Sequence, residues 1–180
     1  VVQSDISDKT IKSYIDYLQD AFLIEIANRY DIKGRKYIGT PMKIYFVDPG
    51  LRNARLGFRQ IEETHLMENI IYIELKRRGY SVDVGLIDIR EKDAEGKRVR
   101  KQLEVDFIAY KGNNKYYIQS AFSLPDEEKK AQEERPLLNI GDSFKKLVVV
   151  GNNIKLKRDE AGITTMGIRQ FLLDQNSLNL

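Results

Sequence analysis

The stretch LEVDFIAYKGNNKYYIQSAF, residues 103–122, decides how the chain folds. Both halves are rich in β-branched and aromatic residues, and Lys111-Gly-Asn-Asn114 between them is a turn sequence. The pattern predicts antiparallel strands over 99–110 and 115–123. Strict alternation places Leu103, Val105, Phe107 and Ala109 on one face and Glu104, Asp106, Ile108 and Tyr110 on the other. If the turn pairs Tyr110 with Lys115, the register sets Ile108 against Tyr117, Asp106 against Gln119 and Glu104 against Ala121. Directly paired residues share a face, with Cβ atoms about 4.5–5.5 Å apart, so Gln119 is expected beside Asp106.

Working outward, residues 80–89 predict a third strand, joined through the polar turn 93–96, which completes an antiparallel meander. Before it, residues 60–78 predict a helix. Leu66, Met67, Ile70, Ile71, Ile73 and Leu75 make it apolar around most of its circumference, so it should be largely buried. Arg77 and Arg78 suit its negative end, and Gly79 stops it. After the meander, residues 125–139 predict a charged helix interrupted near Pro136. Leu147-Val-Val-Val150 then reads as a buried parallel strand, and residues 163–173 as a closing strand and helix. The fold class is α/β.

The N-terminal part reads differently. Ile11, Tyr14, Ile15, Leu18 and Phe22 recur at helical spacing over 8–22, with Ser7 or Asp8 as cap. Strands are expected over 22–27 and 43–47, around the basic turn 29–36, and Asp48-Pro49-Gly50 reads as a closing turn. A helix followed by a hairpin with a basic tip resembles the end of a winged helix. This divides the chain into a partial winged-helix-like element, residues 1–50, and a second domain, residues 51–180. A winged helix would lay Lys9 and Lys12 in a groove, with Arg35 and Lys36 on phosphates. These four residues are the nucleic-acid-binding candidates.

Composition narrows the chemistry. The 180 residues include no Cys and one His, His65, which excludes disulfides, thiolate metal sites, cysteine nucleophiles and His-rich metal sites. Lys and Arg number 30 against 27 Asp and Glu, so any basic surface must be local. No apolar run reaches the roughly 18–20 residues of a membrane span. The compartment expected is the bacterial or archaeal cytoplasm, with no membrane partner. The chain opens on Val1 and reads as a fragment of a longer protein. Gly34-Arg-Lys-Tyr-Ile-Gly39 opens like a phosphate loop, but Thr40-Pro41 replaces the required Lys-Ser/Thr, so no nucleotide site is expected in this chain.

The site expectation rests on acids in apolar settings. Glu68 sits within Leu66-Met-Glu-Asn-Ile-Ile71 and Asp106 within the central strand, where an unpaired carboxylate is costly. If the helix packs on that strand, Glu68, Asp106 and the Gln119 amide oxygen can converge on a hard cation, Mg²⁺ or Mn²⁺. His65, three residues before Glu68, reads as a packing or surface residue.

The run from this helix through Glu104-Val-Asp-Phe107 to Tyr116-Tyr-Ile-Gln119 resembles a PD-(D/E)XK nuclease core. More narrowly, the chain is similar to the uncharacterised C-terminal region that follows the AAA-type module in many prokaryotic ATPases. The residues behind that likeness are Ser13-Tyr-Ile-Asp-Tyr-Leu18, Phe22-Leu-Ile24, Tyr45-Phe-Val-Asp-Pro-Gly-Leu-Arg52, Glu68-Asn69, Glu74-Leu-Lys-Arg-Arg-Gly-Tyr80, Glu104-Val-Asp-Phe107 and Tyr117-Ile-Gln119. The resemblance implies Glu68, Asp106 and Gln119 as catalytic and metal-binding residues of a degenerate site. The third motif should read Glu-x-Lys but is Gln119-Ser120-Ala121 here, which lacks the cation; Lys76 or Lys115 could supply one from elsewhere. The resemblance further implies an N-terminal AAA-type ATPase module as partner, carrying the ATP site. The expected role is a non-catalytic recognition or assembly module, DNA among its partners, and the alternative is an active Mg²⁺-dependent DNA nuclease. Oligomerisation is left open.

Overall fold

A computed structural model describes residues 6–59, 62–92 and 95–180. In chain order it contains α1 (Asp8–Asp20), β1 (Ile24–Asp31), β2 (Lys36–Phe46), α2 (Pro49–Arg55), α3 (Glu63–Arg77), β3 (Ser81–Lys92) and β4 (Arg98–Lys111). These are followed by β5 (Asn114–Ala121), α4 (Glu127–Leu138), β6 (Lys145–Val150), β7 (Lys157–Arg158), β8 (Ile163–Gly167), α5 (Ile168–Leu173) and a 3₁₀ turn (Ser177–Asn179). The fold is mixed α/β around a single sheet of order β2-β1-β3-β4-β5-β6-β8-β7.

The expected meander is present: β3, β4 and β5 are antiparallel, and Tyr110 pairs with Lys115 across the turn. After α4, β6 returns parallel to β5, and β8 is parallel to β6. Crossover connections of this kind leave both faces of a strand covered, as the apolar Leu147–Val150 run requires. The β1–β2 hairpin joins this same sheet, because Arg29–Asp31 pair parallel with Val84–Leu86 of β3.

Two apolar layers lie on the two faces. One gathers Met67, Ile71 and Leu75 of α3 with Phe107, Ala109, Ile118 and Leu147. The other gathers Leu137 of α4 with Ile87, Leu103, Val105, Ile108 and Tyr117. Gly85 lets Ile32 approach the second layer closely, for a Cβ there would meet Ile32 Cδ1 at 2.8 Å and Val105 Cβ at 3.0 Å.

Several expectations need correction. α1 runs over Asp8–Asp20, capped by Ser7, but every one of its residues stays at least partly exposed. The first strand begins at Ile24, not Phe22, since Phe22 has φ +56° and ends the helix–strand connection. Asp48-Pro49-Gly50 starts α2: Asp48 accepts from the Gly50 N–H and Pro49 occupies the first turn, where its missing N–H costs nothing. α4 continues through Pro136. The helix expected from residue 60 begins at Glu63, and residues 60, 61, 93 and 94 lie outside the described set. Among the described residues, no helix is long and apolar enough to cross a membrane.

Candidate functional site

A β-bulge organises the site. Asp83 of β3 pairs with Ile108, and Gly85 pairs with Val105, so Asp106 and Phe107 together oppose Val84. One extra residue reverses the alternation beyond it. Leu103 and Val105 therefore face the α4 layer while Phe107 and Ala109 face the α3 layer, and Ile108 moves to the α4 side. The single-face set Leu103, Val105, Phe107 and Ala109 is thus corrected, and so is the grouping of Asp106 with Ile108 and Tyr110.

The bulge also separates two predicted ligands. Gln119 lies between Tyr117 and Ala121, both in the α4 layer, and its Nε2 is 3.5 Å from Glu133 Oε2 of α4. Its Oε1 is buried with no hydrogen-bond partner among the described residues. Asp106 instead turns to the α3 face, where its Oδ2 accepts from the Ser120 N–H at 2.8 Å. Gln119 and Asp106 lie on adjacent paired strands, but they serve opposite faces.

Glu68 and Asp106 do converge, and what joins them is Lys43. Lys43 Nζ lies 2.8 Å from Glu68 Oε1, 2.8 Å from Glu104 Oε1 and 3.7 Å from Asp106 Oδ1. The Tyr45 hydroxyl, two residues along the same strand face, donates to Glu68 Oε1 at 2.6 Å. Arg29 of β1 reaches Glu104 Oε2 at 3.1 Å. The strand is held against α3 by Asn69, whose amide accepts from the Phe46 N–H at 3.0 Å and donates to the Phe46 carbonyl at 2.8 Å. The Tyr45 ring stacks on Tyr72, centroids 4.1 Å apart, and leans on Phe107. Two separated segments are thereby pinned into one cluster.

The electrostatics follow from burial. Burial and the nearby Glu68 charge push the Asp106 carboxyl up to about 7, against the pull of Lys43 and the Ser120 N–H. Burial works against the charge on Lys43, but Asp106 and Glu68 more than offset it and hold the ammonium above the ordinary lysine range. Burial, then Glu68, push the Tyr45 hydroxyl well up, so it stays a donor. The arrangement is three carboxylates around one ammonium, with a guanidinium at the edge. Among the described residues, no group of three or more His, Asp or Glu side chains is set to hold a metal ion. The side chains as they stand fit the Lys43 ammonium and not a divalent cation at the same point, since two cations there would repel.

The other expected residues fall elsewhere. Lys76 pairs with Glu25 at 3.2 Å, and Lys115 sits beside Asp142 at 3.7 Å under the Tyr117 ring. Neither enters the cluster. His65 is exposed and meets Glu62 through Nδ1 at 2.6 Å. Lys9 and Lys12 lie on α1, which packs at the Ile24 end of the hairpin, whereas Arg35 and Lys36 lie at its turn. The eight-residue β1 separates those ends by about 23 Å. Lys43, Tyr45, Glu104 and Arg29 were missed as site residues; the one available signal was a lysine breaking the apolar run Met42-Lys-Ile-Tyr-Phe46.

Residues 1–62 match the model of a domain family described as Domain of unknown function (DUF8612). The matched segment contains Arg29, Lys43 and Tyr45, while Glu68, Glu104 and Asp106 lie beyond it. The chain is 40% identical over 145 residues to an uncharacterised protein of Haemophilus influenzae, an alignment covering 81% of this chain and 32% of that protein. It is 30% identical over 151 residues to the uncharacterised protein MJ1544 of Methanocaldococcus jannaschii, covering 84% of this chain and 30% of that protein. No solved structure matches the chain. The chain spans about a third of the length of the curated relatives it matches.

Proposed function

We propose that this chain is a recognition or assembly module with a nuclease-like carboxylate site that an internal lysine keeps neutralised. The observation that carries the reading is the position of Lys43 Nζ, 2.8 Å from both Glu68 and Glu104 and 3.7 Å from Asp106. On this reading the ammonium takes the place of the cation that the carboxylates of a PD-(D/E)XK core hold. The motif likeness across α3 and β4 supports that core, although Gln119 of β5 faces the α4 layer, and α1 with its hairpin is read as the wing-like element. The same likeness favours an AAA-type ATPase as the setting. The relatives, about three times as long as this segment, leave room for such a module.

An active Mg²⁺-dependent DNA nuclease is the second reading, and a specific observation favours it. Lys43 Nζ lies 3.7 Å from Asp106 Oδ1, and on this reading it takes the part of the cation missing at Ala121. There a lysine beside a buried carboxylate could orient water or stabilise developing charge, an effect worth on the order of 10²–10³ in rate. Incubating the pure chain with linear and branched DNA in Mg²⁺ or Mn²⁺ separates the two. The recognition reading predicts intact DNA. Cleavage by the wild type that disappears in Glu68→Ala and Asp106→Ala overturns it in favour of the enzyme.

A further inference from the structure

Beyond their contacts with the rest of the sheet, β3 and β4 continue as a two-stranded ribbon. Ladder partners there are Asp88 with Gln102, Arg90 with Arg100 and Lys92 with Arg98. Partners directly opposite share a face. That face continues the Leu86–Glu104 pair, the same side of the sheet on which Glu104 meets Lys43. The opposite face carries Ile89 and Leu103 in the α4 layer, and Glu91 is tied there to Arg135 of α4. One side of the ribbon is thus partly covered by α4, and the other presents cations.

Two consecutive like-charge pairs on one face work against folding. Like charges directly opposite in an antiparallel pair destabilise it, and all four side chains are exposed. Asp88 neutralises only part of this charge: it pairs with Arg100, and a Gln102 amide nitrogen stands 3.5 Å from it. The β1–β2 turn comes alongside, since Lys33 Nζ donates to the Asp88 carbonyl at 3.2 Å. This brings the stretch holding Arg35 and Lys36 next to the ribbon.

We infer that this ribbon face binds the phosphate backbone of duplex DNA. A two-stranded β-ribbon is narrow enough for a major groove about 12 Å wide, and exposed Arg90 and Arg98, which meet no carboxylate among the described residues, suit phosphate contacts that position without reading sequence. The face is contiguous with Glu104, so a bound duplex runs toward the Lys43 cluster. This inference deepens the recognition reading by giving that module a ligand and a surface, and it requires no chemistry at Lys43.

The test is fluorescence anisotropy of the full 180-residue chain with a 20-base-pair duplex between 50 and 200 mM salt. The wild type should bind with a steep salt dependence. Arg90→Gln combined with Arg98→Gln should weaken binding at least tenfold and reduce the salt slope by about 2, at roughly 0.9 for each phosphate that is no longer neutralised. Lys101→Gln, on the α4 side of the ribbon, should change affinity less than twofold. Binding is read in EDTA, where no metal-dependent cleavage takes place, which keeps failure of the carboxylate reading separate from failure of this one. The double variant should also melt no lower than the wild type, because the like-charge pairs are relieved. Absent binding, equal weakening in Lys101→Gln, or a double variant that binds as well as the wild type overturns the inference. Attraction to phosphatidylserine vesicles but not to the duplex overturns it too.

Discussion

The Tyr45 hydroxyl donates to the same Glu68 oxygen that meets Lys43, at 2.6 Å and 2.8 Å respectively. One strand of the hairpin therefore holds a helix carboxylate from two sides, and the helix carboxylate in turn holds the hairpin over the central bulge. Removing either donor tests a different part of that arrangement.

Lys43→Met leaves Glu68, Glu104 and Asp106 close together with only Arg29 to offset them. Breaking a partly buried ion cluster in this way should cost about 3 kcal/mol. Urea unfolding at pH 8 measures it, and the loss should shrink at pH 5, where Asp106 takes up a proton.

Tyr45→Phe keeps the stack on Tyr72 and removes only the hydroxyl. Glu68 retains Lys43, so the loss should be smaller, about 1 kcal/mol. Thermal melts of the two variants side by side should preserve that order.

The Asp106 carboxyl is raised by burial and by Glu68. A carboxyl raised on folding binds its proton more tightly folded than unfolded. Its contribution to stability is therefore largest below about pH 4 and falls as pH rises toward about 7. Asp106→Asn removes that dependence and keeps an acceptor for the Ser120 N–H. Relative to the wild type, the variant should gain about 1–3 kcal/mol between pH 5 and pH 8, read as the change in urea midpoint.

At the far end of α3, Arg78 binds Glu74 through Nε at 2.6 Å and Ser177 Oγ through Nη1 at 2.9 Å, and it also donates to the Phe171 carbonyl. Its guanidinium lies 4.7 Å from the Phe171 ring centroid. This goes beyond the helix-end role that its sequence position suggests, because the residue ties the C-terminal segment to α3. Arg78→Ala leaves Glu74 its two hydrogen bonds from Arg77, at 2.7 Å each, but removes the links to Ser177 and Phe171, and should cost about 1–3 kcal/mol. Hydrogen exchange should show residues 168–179 opening first.

The meander, its turn register, the apolar α3 and the parallel β6 were legible because each depends on local periodicity or turn chemistry. The bulge at Asp106–Phe107 was not. A single extra residue leaves no compositional mark, yet it turned Asp106 to the α3 face, away from Gln119 on the α4 face. Lys43 was hidden for another reason: its partners lie 25 to 63 residues away, joined through a hairpin that curls onto α3 by way of Asn69. α2 was missed because Asp48-Pro49-Gly50 is equally good as a turn and as a helix start.

Lys43 must be energetically joined to the carboxylates it touches if the cluster is a site at all. A double-mutant cycle between Lys43→Met and Glu68→Gln, read by urea unfolding at pH 8, measures that coupling directly. A coupling of about 1–3 kcal/mol is expected for groups in one charge network. Additivity within about 0.3 kcal/mol would contradict the site.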